Sequence, residues 1–129
     1  MSLLDKEGIS GKIYYGYSGT GAFYNSLAVA EEFLTANTVP TTKIATYDVD
    51  TAGFPKGKVF DVILSLISWG FHYPVEVYLD EAFDALSDNG VLILDVRKDT
   101  DGKDILSRKF SSVEVILNGE KHERVLVKK

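Results

Sequence analysis

The chain contains no cysteine, and its 129 residues include only two histidines, three prolines, one tryptophan and one methionine. Without cysteine there are no disulfides and no thiolate-based zinc or iron–sulfur sites, which favours a cytoplasmic protein. No apolar run reaches the roughly 18 residues that a bilayer requires, so we expect no membrane span. The first residues also lack the basic start and apolar block of a signal peptide.

The rest of the composition is that of an ordinary globular protein. Hydrophobic residues make up 45%, charged residues 26%, and the formal net charge is -5. This length predicts a single domain over residues 1–129. The acidic balance argues against a nucleic-acid partner. We interpret the basic residues near the C-terminus as the solvated face of a hairpin; they are Lys103, Arg108, Lys109, Lys121, Arg124, Lys128 and Lys129.

Strand and helix patterns alternate along the sequence. Residues 12–17 and 43–48 are β-prone, and an amphipathic helix pattern lies between them. The apolar runs 59–67 and 91–96 are typical of strands buried on both faces. Pro74 begins a second helix pattern between these runs, and Asn89-Gly90 is predicted to end it. The C-terminal region predicts a short helix at 104–109 and a hairpin that pairs 112–117 with 120–127.

This alternation predicts an α/β fold, namely a Rossmann-like doubly wound, mostly parallel sheet with a C-terminal antiparallel hairpin. Ligands bind to such sheets beyond the carboxyl ends of the strands. The residues that follow each predicted strand are therefore the candidate site residues.

Two of these strand ends carry glycines or carboxylates. Gly16, Gly19 and Gly21 precede a helix, where they form either a ligand cradle at the positive helix end or a plain flexible turn. Asp48 and Asp50 either bind a ribose or an exocyclic amine, or form an Asx turn.

The passage after the third predicted strand is unusually aromatic. Trp69, Phe71 and Tyr73 are candidate walls of a pocket for a planar substrate, and His72 is a candidate general base. The alternative is that the aromatic rings pack the helix against the sheet while His72 only donates a hydrogen bond. His72 and His122 lack metal-ligand spacing, so we predict no metal site.

Residues 54–97 resemble the middle of a class I S-adenosylmethionine-dependent methyltransferase. The segment 60–65 is similar to the fourth strand of that family, and 85–95 to its following turn and fifth strand. Asp88-Asn89-Gly90 replaces the Pro-Gly-Gly of the family turn.

The resemblance implies that Asp48 or Asp50 lies near the adenine and that Ser65 lies where the cofactor and substrate pockets meet. The glycine-rich first motif of the family has two possible counterparts. Either residues 13–21, with their glycines, are a degenerate version of it, or 12–17 is the second strand and the first strand and helix are absent. An absent strand leaves an exposed sheet edge and favours a homodimer.

The function that follows from this resemblance is transfer of a methyl group from S-adenosylmethionine to an oxygen or nitrogen of a small molecule, for which a sugar-like acceptor is one option. The alternative is a catalytically silent Rossmann-like module that acts in assembly or interaction. A nicotinamide-dependent oxidoreductase fits less well because the glycine spacing differs from the dinucleotide fingerprint.

Overall fold

The computed structural model describes residues 1–9 and 24–129. The chain divides into two compact units, whose described residues are 1–9 with 24–56 in the first unit and 57–129 in the second. The prediction of a single domain over 1–129 stays a prediction. None of the helices in the described residues has both the length and the apolar character needed to cross a bilayer.

The first unit contains short strands and one helix. Its helix begins after Ser26, whose Oγ accepts a hydrogen bond from the Val29 N–H at 3.3 Å, an N-cap that satisfies a free amide of the first turn. Thr38 just beyond the helix has a φ of 72°, which ends the helix in place of the more usual glycine. The elements are β1 (Ser2–Asp5), parallel to β4 (Ala45–Asp48); β2 (Gly8–Ile9), antiparallel to β3 (Tyr24–Asn25); α1 (Leu27–Ala36); and a 3₁₀ turn at Thr41–Lys43.

The second unit is built on a four-stranded sheet in the order β5-β7-β9-β8. β5 and β7 are parallel neighbours, whereas β9 is antiparallel to both β7 and β8. Its elements are β5 (Phe60–Ser65), β6 (Ser68–Tyr73), a 3₁₀ turn at Val75–Val77, α2 (Leu79–Ala85), β7 (Leu86–Arg97), α3 (Gly102–Lys109), β8 (Ser112–Asn118) and β9 (His122–Lys128).

One face of this sheet holds the core of the second unit. Leu92 and Leu94 on β7 are fully buried there, and a Cβ on Gly102, at the start of α3, would lie 2.8 Å from the Cγ1 of Val96 on the same strand. Helix α3 therefore packs closely on this face. Other buried side chains of the core are Val125, Val127, Leu106 and Phe110.

No helix of the described residues covers the opposite face of the sheet, and we call it the open face. It is defined by Val62 and Leu64 on β5, which lie opposite Val91 and Ile93 on β7, and by Leu126 on β9, which lies opposite Ile93. Val62 is 57% exposed and Leu64 is 59% exposed. Val62 and Leu64 thus face solvent, and the aliphatic surface continues over the partly buried Val91, Ile93 and Leu126.

The predicted Rossmann-like doubly wound fold is wrong. Among the described residues, the sheet of the second unit has a single parallel pair, and no layer covers its open face as a doubly wound sheet requires. The predicted strand at 43–48 is β4, but β4 pairs with β1 in a separate two-stranded sheet. The parallel neighbours β5 and β7 and the C-terminal hairpin are present as expected.

Two boundaries also differ from the prediction. The apolar run 59–67 is not one strand, because the chain turns at Leu66 and Ile67 and continues as β6. The second helix ends at Ala85 and not at Asn89-Gly90, since β7 already begins at Leu86. The predicted strand at 12–17 lies outside the described residues.

Candidate functional site

The most elaborate polar arrangement in the second unit surrounds the carboxylate of Asp95 near the end of β7. Asp95 is 0% exposed. Arg124 on β9 donates to it through both nitrogens of its guanidinium fork, Nε to Oδ1 at 2.7 Å and Nη2 to Oδ2 at 2.9 Å. The backbone N–H of Ile67 donates to Oδ2 at 3.0 Å. We call Asp95, Arg124 and the Ile67 amide the Asp95 clamp.

These contacts decide the charge of the clamp. Burial raises the pKa of Asp95, but the hydrogen bonds from Arg124 and Ile67, with the positive charge of Arg124 and the Coulomb attraction to His122 when its ring is protonated, outweigh it and hold the pKa below its usual value. The hydrogen bond to Asp95 likewise raises the pKa of Arg124. The pair is therefore ionised at neutral pH and joins β7, β9 and the turn after β5.

The turn held by the clamp is strained. Ile67 has a φ of 49°, in the left-handed region that β-branched residues rarely adopt. Such a conformation costs about 1–3 kcal/mol and persists only where surrounding contacts enforce it. The hydrogen bond from the Ile67 amide to a buried carboxylate supplies such a contact.

Aromatic and basic side chains surround the clamp. The Phe71 ring makes edge contacts with His72 and His122, with centroids 4.8 and 5.8 Å apart. The Arg97 guanidinium carbon lies 5.4 Å from the Phe71 centroid. His122 Nε2 is 3.8 Å from Asp95 Oδ1, too long for a hydrogen bond but close enough for attraction when the ring is protonated.

The predicted cofactor-binding residues fall into separate groups. Gly16, Gly19 and Gly21 lie outside the described residues. Both Asp48 oxygens accept local hydrogen bonds, Oδ1 from the Asp50 N–H at 3.1 Å and Oδ2 from the Thr51 hydroxyl at 3.3 Å. Asp50 forms an ion pair with Lys6 at 2.7 Å. These contacts match the Asx-turn alternative for Asp48. Both carboxylates already have partners within the first unit.

The predicted substrate wall is used mostly for packing. Trp69 is buried, its indole Nε1–H donates to the Val75 carbonyl at 2.8 Å, and its ring meets Tyr78 edge to face. The Ser65 hydroxyl donates to the Trp69 carbonyl at 3.2 Å. These contacts favour the packing alternative for Trp69 and give the Ser65 hydroxyl a local partner, while Phe71 and His72 lie together beside the clamp. Tyr73 is partly buried at the end of β6.

Glycine at position 70 lets β6 approach β7. Gly70 has a φ of 90°, and a Cβ there would lie 2.8 Å from the backbone oxygen of Asp95. Trp69 and Phe71 flank this contact along β6. The positive φ of Gly70 is a conformation that glycine adopts without strain.

Sequence reasoning missed the clamp. A lone carboxylate inside the apolar run 91–96 was a usable signal, because a charge in a buried strand requires a partner. The register of β7 and β9, which pairs Asp95 with Arg124, identifies that partner. This pairing could not be predicted from the sequence, because it depends on which strand of the folded sheet lies beside β7.

Three other observations on the described residues indicate no further binding or catalytic site. A shallow groove on the first unit is lined by Ala28, Glu31, Glu32, Thr35 and Thr41, all of them on or beside α1. Within residues 1–9 and 24–129, no three His, Asp or Glu side chains are grouped to hold a metal ion. In the same residues, every buried side-chain nitrogen or oxygen has a hydrogen-bond partner.

Comparisons with known proteins give no relative: no family model, curated protein or solved structure matches this chain. The functional argument therefore depends on the residues themselves.

Proposed function

We propose that this chain is an assembly module that associates with a second copy of itself through the open face of its second unit. The observation that carries the proposal is the exposure of Val62 and Leu64, more than half of each, on the edge strand β5 of this face. Isolated exposed aliphatic residues need no explanation, but two neighbours that continue into a partly exposed aliphatic surface on β7 and β9 do.

This surface fits the centre of a protein interface. With the turn residues Leu66 and Ile67, each 42% exposed, the region presents four exposed aliphatic side chains, and contiguous apolar patches of this kind mark interaction sites on monomeric proteins. A standard interface buries about 800 Å² on each partner, with an apolar centre and a polar rim. The open face thus supplies the centre, and the side chains around it would supply the rim.

The rim favours a copy of the same chain as the partner. Glu114 on β8 lies opposite Leu126, and Lys128 on β9 lies opposite Val91, so both side chains border the open face. Both are exposed. A rim with charges of both signs is complementary to itself when two copies meet around a two-fold axis.

Sedimentation equilibrium of the full chain tests the proposal. We expect a reversible dimer, and Leu64→Ser should raise its Kd at least about tenfold, since burial of one leucine is equivalent to more than 1.4 kcal/mol. Phe33→Ser is the matched control because Phe33 on α1 is equally exposed, at 67%, but lies in the other unit. A monomer at millimolar concentration, or equal effects of the two variants, would refute the proposal.

Methyl transfer is the second candidate. The observation in its favour is that β5 and β7 are parallel neighbours and that Ser65 ends β5, an arrangement implied by the resemblance to methyltransferases. The local bonding of Asp48 and the burial of Trp69 leave fewer groups for a cofactor and a substrate. The geometry therefore supports assembly better.

Calorimetric titration separates these candidates. Micromolar binding of S-adenosylmethionine and its demethylated product, without binding of NADH, would support methyl transfer. In that case His72→Ala should lower turnover about 10² to 10⁴-fold, as expected for loss of a general base. Absence of heat with all three nucleotides would remove this candidate.

A further inference from the structure

The turn between β5 and β6 combines three features that are rarely found together. Its two apolar side chains, Leu66 and Ile67, are each 42% exposed. The backbone at Ile67 is left-handed. The Ile67 amide is bound to a carboxylate that is itself completely buried.

A short loop can connect two strands without such strain. Glycine or asparagine would adopt the left-handed conformation readily, and a polar residue would suit an exposed loop tip. The chain instead has a branched aliphatic residue there and uses a buried ion pair to hold it. Strain that is enforced by surrounding contacts concentrates where a side chain must be presented in one conformation.

The remainder of the clamp is rigid. Arg124 approaches Asp95 with both nitrogens of its planar fork, which fixes orientation as well as distance. Asp95 and Arg124 also lie opposite each other in the β7–β9 register, so the sheet fixes the backbone of both residues. The Ile67 amide is therefore bound to a carboxylate that both the Arg124 fork and the sheet hold in place.

We propose that Asp95 and Arg124 are positioning residues that hold Leu66 and Ile67 in the conformation in which these side chains extend the open face beyond the end of β5. This inference rests on the proposed self-association for its role, but the clamp itself can be tested without it. The side chains of the turn would contact the second copy, and the clamp would keep them ordered before contact. Association would then require little further ordering of the turn.

The first experiment measures the turn by itself. In the ¹⁵N-labelled full chain, we expect slow hydrogen exchange at the Ile67 amide and at least about tenfold faster exchange in Asp95→Asn, because a neutral amide oxygen is a weaker acceptor. Asp61→Asn is the control, since Asp61 also lies on this sheet and accepts from the Ser87 hydroxyl at 3.0 Å. Unchanged exchange at Ile67 in Asp95→Asn would overturn the clamp.

The second experiment measures association of the same variants. We expect Asp95→Asn to weaken the dimer about tenfold while the amides of β7 and β9 stay protected. Arg124→Lys keeps the charge but not the fork, so it should show a smaller effect in the same direction. Arg124→Lys also serves as the test if Asp95→Asn does not fold.

A rescue tests whether the first substitution acts through the turn. Glycine adopts the left-handed conformation without strain, so adding Ile67→Gly to Asp95→Asn should recover part of the lost free energy of unfolding, whereas association should stay weak because the Ile67 side chain is gone. No recovery of stability would show that the turn is not what the first substitution disturbs. If the unmodified chain is monomeric, self-association and the docking role both fail, whereas the exchange data still decide whether Asp95 holds the turn.

Discussion

The two units of the chain differ in what surrounds their apolar residues. In the second unit, Leu92 and Leu94 are buried between the neighbouring strands and the layer packed on the sheet. In the first unit, Leu27 is buried, but Val29 and Phe33 on the same helix are more than half exposed. The apolar residues of β7 thus form a core in one unit, whereas those of α1 lie on a mostly exposed helix in the other. A pattern identifies the apolar side of an element, but burial depends on whether another element covers that side.

The largest expected effect comes from the core of the second unit. Leu92→Ala should lower the free energy of unfolding by about 3–5 kcal/mol, since it removes a fully buried side chain and leaves a cavity. Phe33→Ala in the first unit should change it by less than about 1 kcal/mol, because most of that ring is in solvent. Urea unfolding followed by far-ultraviolet circular dichroism, which reports on both units, measures both. Similar values for the two variants would contradict the difference between the units.

The buried ion pair gives the next effect, which depends on pH. Asp95→Asn should lower the free energy of unfolding by about 2–4 kcal/mol at pH 7, because Arg124 loses its charged partner. The pKa of Asp95 is lower in the folded state than in the unfolded state. The stabilisation is therefore complete above the unfolded pKa of about 3.9 and is lost as the pH falls through the lower folded pKa.

Urea titrations of both proteins between pH 7 and pH 2.5 check this sign. The difference between wild type and Asp95→Asn should stay constant down to about pH 4.5 and decrease below it. A difference that grows on acidification would mean that the carboxylate is destabilised in the folded protein.

Glycine substitutions compare close packing with open space. Gly70→Ala should cost about 2–3 kcal/mol, because its Cβ would meet the Asp95 backbone oxygen and its φ is positive. Gly53 in the first unit also has a positive φ, but nothing lies within 4 Å of its Cβ position. Gly53→Ala should therefore cost only the backbone term, about 1 kcal/mol. Thermal unfolding of both variants measures the difference, and equal melting temperatures would exclude the close contact at Gly70.

The smallest effect is expected at the exposed ion pair of the first unit. The Lys6 ammonium and the Asp50 carboxylate are 2.7 Å apart, with about half of each side chain in solvent. Asp50→Asn should change the free energy of unfolding by less than about 0.5 kcal/mol, because solvent and salt screen such pairs. A loss as large as that of Asp95→Asn would show that exposure does not distinguish the two carboxylates.

The sequence predicted local elements better than their arrangement. Asn118-Gly119 indicated the terminal hairpin, and the apolar runs indicated that β5 and β7 are strands. Both signals are local, so they do not depend on the rest of the chain. The burial of β5 on both faces did not follow, because apolar composition does not reveal whether a covering layer exists.

The candidate site shows the same limit. The prediction singled out 65–74 for its aromatic residues, and Phe71 and His72 do lie beside the Asp95 clamp. Asp95 and Arg124 are 29 positions apart in the sequence, and only the pairing of β7 with β9 brings them together. The left-handed conformation of Ile67 could not be predicted either, since isoleucine disfavours it and tertiary contacts impose it.

The strand order of the second unit also has a kinetic consequence. β8 and β9 adjoin in sequence and can form a hairpin within microseconds, whereas the pairing of β5 with β7 must close a loop that includes β6 and α2. We therefore expect the β8–β9 hairpin to form before β5 pairs with β7. Until that pairing the aliphatic edge of β7 stays open, which makes the partly folded chain more prone to aggregate than the native chain.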